Sequence, residues 1–125
     1  MLYELSQADY HRVEALYHPL DFHLNSRAVL DRLSPGRVFV DDPDQPRASF
    51  MLAPEACYLA GDADRADFNA GINEAIRAGE VVYDAPVLGW VVASEAWAER
   101  LADILAPYPV QAAMRHHYVC HARAW

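Results

Sequence analysis

The sequence predicts one α+β domain, a mostly antiparallel sheet carrying about four helices. Three observations predict it. At 125 residues the chain is long enough for one hydrophobic core and too short for two. The β-branched and aromatic runs RVFV (37–40), SFML (49–52) and CYLAG (57–61) follow one another with turn residues between them, as strands of a meander do. Apolar residues at helical spacing lie before and after that meander, so strands and helices share one sheet.

Taken in order, LYEL (2–5) reads as a short strand. Ser6 followed three residues later by Asp9 is a capping-box spacing, and Tyr10, Val13, Leu16 and Tyr17 then form one apolar helical face that Pro19 ends. Asn25 or Ser26 caps a second, short helix with Val29, Leu30 and Leu33 inward, stopped by Ser34-Pro35-Gly36. RVFV and SFML flank DDPDQPR (41–47), a hairpin loop with two prolines, and Pro54 and Glu55 break the chain before CYLAG.

Past Gly61, Asp64 and Asp67 stand at box spacing and predict a capped helix with Phe68, Ile72, Ala75 and Ile76 inward and Gly79 at its end. EVVYDAP (80–86) carries no clear period. VLGWVVA (87–93) is continuously apolar, as a central strand covered on both faces is. Ser94 caps a last helix with Trp97, Ala98, Leu101, Ile104 and Leu105 inward, ended by Pro107 and Pro109, and AAMRHHYVCHA (112–122) closes the chain as a strand.

The net charge is −8, lysine is absent and the ten arginines are scattered. Nucleic-acid binding needs clustered cations to displace phosphate counterions, so that class is excluded, and an acidic surface suits cationic partners instead. No run reaches the ~18 apolar residues of a membrane span. MLYELSQADYHRVEA lacks the basic start and apolar stretch of a signal peptide, so the expected place is the cytoplasm. Cys57 and Cys120, both in apolar strand-like stretches, then read as reduced core residues.

Few residues suggest chemistry. In HHYVCH (116–121), a strand puts His117 and His121 on one face but ~13 Å apart, too far to share a zinc ion. DADRAD (62–67) fails as a calcium loop, because its sixth and twelfth places hold Asp67 and Asn73 where glycine and an acid belong. No Gly-x-Ser-x-Gly elbow occurs, and no histidine lies close to Cys57. Asp41 and Asp42 end a strand, where acids before proline serve a turn and where two carboxylates could also meet an ammonium group. Glu95 suits the first turn of its helix and is the other candidate for the substrate cleft, while Tyr108 between two prolines reads as a packing lid.

The element order resembles the GNAT fold of N-acetyltransferases. GRVFVDDPDQPRASFML (36–52), followed by CYLAGDADRADFNAGINEAI (57–76), is similar to the amino-terminal half of GNAT enzymes related to zwittermicin-resistance proteins. The likeness runs over nearly the whole chain. It implies two early helices, an antiparallel meander, a helix after the fourth strand and a fifth strand that splays away from the fourth. It also implies a two-part enzyme that uses acetyl-CoA on a small amine, with the acetyl-CoA module in its carboxy-terminal half. The implied partner is a second copy or a separately encoded carboxy-terminal half.

GNAT enzymes hold the CoA pyrophosphate on backbone amides of an Arg/Gln-x-x-Gly-x-Gly/Ala loop, where glycines let the backbone approach and free helix-end amides face the anion. Here the matching stretch is GDADRADFNAG, with Gly61 and Gly71 too far apart to form that loop. Asp62, Asp64 and Asp67 would face the phosphates, and two like charges ~4 Å apart repel by ~4 kcal/mol at an effective dielectric near 20. A capping aspartate would also take the amides that a phosphate needs. The expectation is a domain that binds no cofactor or metal by itself and is inactive or nearly so. Two other readings stay open: a complete small acetyltransferase with a different CoA grip, and an acidic binding module for a cationic partner. A chain ending on a sheet edge also points to a dimer or a partner half.

Overall fold

The computed structural model describes residues 2–20, 24–33, 35–53, 56–78, 87–106, 110–114 and 117–121. Strands β1 (Tyr3–Glu4), β2 (Arg37–Val40), β3 (Ala48–Leu52), β4 (Cys57–Gly61), β5 (Val87–Val92), β6 (Val110–Met114) and β7 (His117–His121) form a seven-stranded sheet in the order β1-β2-β3-β4-β5-β7-β6. Neighbours are antiparallel throughout except β4 and β5, which run parallel. The fold is thus α+β with a mostly antiparallel sheet.

Period-two alternation divides the apolar side chains between the two faces. Phe39, Phe50, Cys57, Leu59, Trp90 and Val92 belong to one buried cluster, with Phe50 stacked between Phe39 and Trp90. Val38, Val40, Met51, Tyr58, Ala60 and Val91 belong to the other. Helices α3 (Ala66–Arg77) and α4 (Glu95–Leu105) cover the first face through Phe68, Ile72, Ala75, Ile76, Trp97, Leu101, Ile104 and Leu105. The predicted inner faces of both helices are therefore buried, save that Ala98 is only half-buried. The segment from Gln7 to Leu20 and helix α2 (Leu24–Leu30) cover the second face through Tyr10, Val13, Tyr17, Leu20, Val29 and Leu30.

Five local expectations are corrected. The helix expected from Ser6 to Pro19 is a 3-10 turn over Gln7–Val13, a short α1 (Glu14–Tyr17) and a second 3-10 turn over His18–Leu20. Its buried residues are spaced three, four and three apart, which suits a tighter helix at both ends. Ser6 does not cap amides; its hydroxyl donates to the Asp9 carboxylate at 3.2 Å. Helix α2 starts before Ser26, whose hydroxyl donates to the Leu20 carbonyl at 3.4 Å.

Leu33, expected inward, is 82% exposed. Arg32 adopts φ +62°, Leu33 N–H donates to the Ala28 carbonyl and Arg32 N–H to that of Val29, which is a Schellman turn. The reversal carries Leu33 away from the core. The single closing strand expected over 112–122 is instead the hairpin β6–β7, with a register shift between Ala112 and Met114. Gly79 and the segment 80–86 lie outside the described residues.

Parallel pairing of β4 and β5 is short. It joins Cys57 to Trp90, Tyr58 to Val91 and Leu59 to Val92, and Ala93 N–H then donates to the Leu59 carbonyl at 2.9 Å. Ala60 and Gly61 have no registered partner in β5, so the strands part there. Gly61 holds φ +87°, and a Cβ on it would collide with the Arg47 carbonyl oxygen. Only glycine lets the start of β3 approach this closely.

Candidate functional site

Where β4 and β5 part, a wedge opens toward the loop that leads into α3. Trp97, fully buried on α4, donates its indole N–H to the Gly61 carbonyl there at 3.0 Å. Beside it, Asp62 Oδ1 accepts the Asp64 amide at 2.9 Å, and the Asp62 amide donates to the Arg47 carbonyl at 2.7 Å. Asp64 then turns toward α4, where Arg100 Nε and Nη2 both donate to its Oδ1, at 3.1 and 3.0 Å.

Asp64 is therefore not the cap of α3, contrary to the sequence expectation. The N-cap position belongs to Arg65, whose side chain makes no capping bond. Arg65 instead reaches across to β2, its Nε 2.9 Å from Asp41 Oδ2. The loop is locked from two sides, by α4 through Arg100 and by the β2–β3 hairpin through Asp41.

Asp41 has only 5% of its side-chain surface exposed. Burial alone would raise its pKa. The amides of Arg47 and Ala48, donating to Oδ1 at 2.9 and 3.1 Å, together with the Arg65 charge outweigh that effect and hold it below the ordinary value. Asp42 Oδ1 accepts the amides of Asp44 and Gln45 at 2.9 and 3.4 Å. Both aspartate side chains thus shape the hairpin loop by accepting backbone amides two to seven residues further on, which is the turn chemistry that acids beside proline favour.

Of the sequence candidates, Asp41 alone is brought to the loop before α3. It lines a cavity of about 430 Å³ together with Tyr3 and residues 64–68. Asp42 and Glu95 line neither this cavity nor the larger one described next. Glu95 is exposed in the first turn of α4. Tyr108 and the side chains of His117, Cys120 and His121 lie outside the described residues, whereas Cys57 is buried and reduced. Among the described residues no group of three or more His, Cys, Asp or Glu is placed to hold a metal.

Sequence reasoning missed the second and larger cavity, a groove of about 660 Å³ between α3 and α4. Asn73 ties the helices at one end, its Nδ2 donating to the carbonyls of Ile104 and Ala106 at 2.8 and 2.7 Å and satisfying the end of α4. Asn69 donates Nδ2 to the Ala63 carbonyl at 2.8 Å, while its Oδ1, shielded from solvent, has no hydrogen-bond partner among the described residues. The one sequence signal for the groove is the recurrence of Ala66, Asn69, Ala70, Asn73 and Arg77 on the face of α3 opposite its apolar stripe.

No helix among the described residues is long and apolar enough to cross a membrane. No protein-family model matches the chain, and comparison with curated proteins gives no significant match.

Proposed function

We propose that this chain is a GNAT-type domain equivalent to the amino-terminal, non-CoA-binding half of a two-part acetyl-CoA-dependent N-acetyltransferase acting on a small amine in the cytoplasm. By itself it is inactive or nearly so. Its implied partner is an acetyl-CoA-binding half or a second copy of the chain.

What supports the fold part of this reading is the order of elements. Two early helices precede a meander, a helix follows the fourth strand, and the parallel fifth strand parts from the fourth after Leu59. What carries the functional part is the Trp97–Gly61 bond. It sets a buried indole against the last carbonyl of β4, just past the point where β5 parts from it.

The physical basis for weak CoA binding differs from that expected of the sequence. The loop aspartates do not cap the α3 amides with Asp64. They hinder a pyrophosphate through negative charge at the loop and through the Asp64–Arg100 pair that draws α4 against it. Charge at the loop and the indole held at the end of β4 are what oppose the ligand.

Calorimetric titration with acetyl-CoA to sub-millimolar concentration tests the reading, alongside turnover with a panel of small amines. The expected result is no measurable heat and no product. Saturable micromolar binding, or turnover by the chain alone, overturns it.

A further inference from the structure

Among the described ion pairs Asp41 is the one buried carboxylate, with 5% of its side chain exposed, and it holds two loops at once. Its Oδ1 accepts the amides of Arg47 and Ala48 at the far end of its own hairpin loop, and its Oδ2 stands 2.9 Å from Nε of Arg65 at the head of α3. A second tie joins the same two loops. The Asp62 amide donates to the Arg47 carbonyl, against which Gly61 is already pressed. A third tie comes from the opposite face of the sheet, where Arg12, in the 3-10 turn Gln7–Val13, donates Nη1 to the Pro43 carbonyl at 2.7 Å. That turn packs on the second face through Tyr10 and Val13, whereas α3 packs on the first. Loop 41–47 is thus gripped from both faces, by Arg12 near its tip and by Arg65 at its root, and the Asp64–Arg100 pair extends the contacts to α4.

We propose that loop 41–47 is a strap across the end of the sheet, buckled at Asp41, and that it opens together with loop 62–65 as one unit. The reason is where the carboxylate sits. The other side chains in this run of contacts (Arg12, Asp44, Arg65, Asp64 and Arg100) are 37–91% exposed, so water replaces each partner readily and each pair alone contributes little. Asp41 differs, because an enclosed carboxylate stripped of its donors is strongly disfavoured. Were loop 62–65 to swing out alone, it would take Arg65 away. Were the hairpin loop to open alone, it would take the Arg47 and Ala48 amides and break the bond from Asp62. Either leaves the charge enclosed and short of donors, so the easier opening exposes Asp41 and frees both loops. A contiguous set of contacts with two arrangements, buckled and open, carries a disturbance from one face of the sheet to the other. Whatever loosens Arg12 on the second face thereby loosens the entry to α3 on the first. Asp41 and Arg65 both line the cavity of about 430 Å³ before α3, so the strap also sets the shape of that cavity. This inference does not depend on reading the domain as a GNAT half.

The test is amide hydrogen exchange of the full chain, read by NMR without any ligand, with the central amides of β3 and β4 as the internal reference for general stability. Arg12→Gln removes the grip on Pro43, on the face of the sheet away from α3. Relative to the reference it should speed exchange about threefold at the Arg47 amide and equally at the Asp62 and Asp64 amides. Arg65→Gln should act in the other direction, speeding the Asp44 and Arg47 amides about fivefold along with those of Asp62 and Asp64. Asp41→Asn removes the buckle and should raise all four rates about tenfold or more. If that variant fails to fold, the two arginine variants, both at partly exposed positions, decide the matter. Unchanged rates at Asp62 and Asp64 in Arg12→Gln overturn the proposal. So does an Arg65→Gln effect confined to residues 62–66, or a rise shared equally by the reference amides. The acetyl-CoA titration of the preceding subsection is a separate measurement, so either reading can fail without the other.

Discussion

Gly61 shows at one residue why backbone geometry limits the site. Its φ of +87° and the adjacent Arg47 carbonyl leave no room for a side chain. Gly61→Ala should lower stability by about 2–4 kcal/mol, through left-handed strain and displaced backbone, read as a lower denaturant midpoint. Arg32 is the opposite case, a non-glycine residue at φ +62° closing α2. Arg32→Gly relieves its Cβ strain and should raise stability by about 0.5–1 kcal/mol in the same measurement, without touching the core.

Asp41 supplies the pH-dependent residue. Its folded pKa lies below the ordinary carboxylate value, so its contribution to stability is present above the unfolded pKa, about 3.9, and is lost as pH falls through the folded value. Unfolding monitored from neutral to acid pH should show this loss, and Asp41→Asn should flatten it. An unchanged acid limb in that variant would remove Asp41 as the cause.

Among elements, the most informative contact is α4 against the end of β4. Trp97→Phe keeps most of the packing but leaves the Gly61 carbonyl without its donor, and should cost about 1–2 kcal/mol. Arg100→Ala removes a pair whose side chains are 51% and 68% exposed, so its cost should stay under about 1 kcal/mol. That contrast, read in one set of unfolding curves, separates the buried indole bond from the surface latch. On the other side of the sheet, Tyr17 and Ser49 form a buried pair at 2.8 Å, and Ser49 donates onward to the Phe39 carbonyl at 3.0 Å. Burial pushes the Tyr17 phenol upward against the lowering effect of its Ser49 bond, so it stays neutral and donates. Ser49→Ala should therefore cost about 1–3 kcal/mol, the penalty of a buried hydroxyl left unpaired.

At the scale of the whole molecule, helices on both faces of β3 and β4 give the layered core its centre. Native-state hydrogen exchange should be slowest in β3 and β4. It should be fastest in β1, a two-residue edge strand held to β2 by the Arg37–Glu4 pair. The continuous apolar run VLGWVVA made a strand covered on both faces readable in advance, because a strand with one wet face would alternate apolar with polar residues. The same chain order gave no access to which strands run parallel. That depends on where the connection from α3 returns, not on any residue pattern within β5.

The candidate site divides in the same way. Local sequence determined that Asp41 and Asp42 shape a hairpin and that α3 and α4 bury Phe68, Ile72, Trp97 and Leu101, since turn chemistry and helical period act between near neighbours. Only the tertiary structure decided that Arg65 reaches Asp41, that Arg100 takes Asp64 away from the cap, and that Trp97 bonds to the Gly61 carbonyl. It also decided that α3 and α4 leave a groove between them. Each of these joins residues far apart in the chain. Their meeting is fixed by how helices settle on a twisted sheet, a property of the packed whole that no short stretch of sequence encodes.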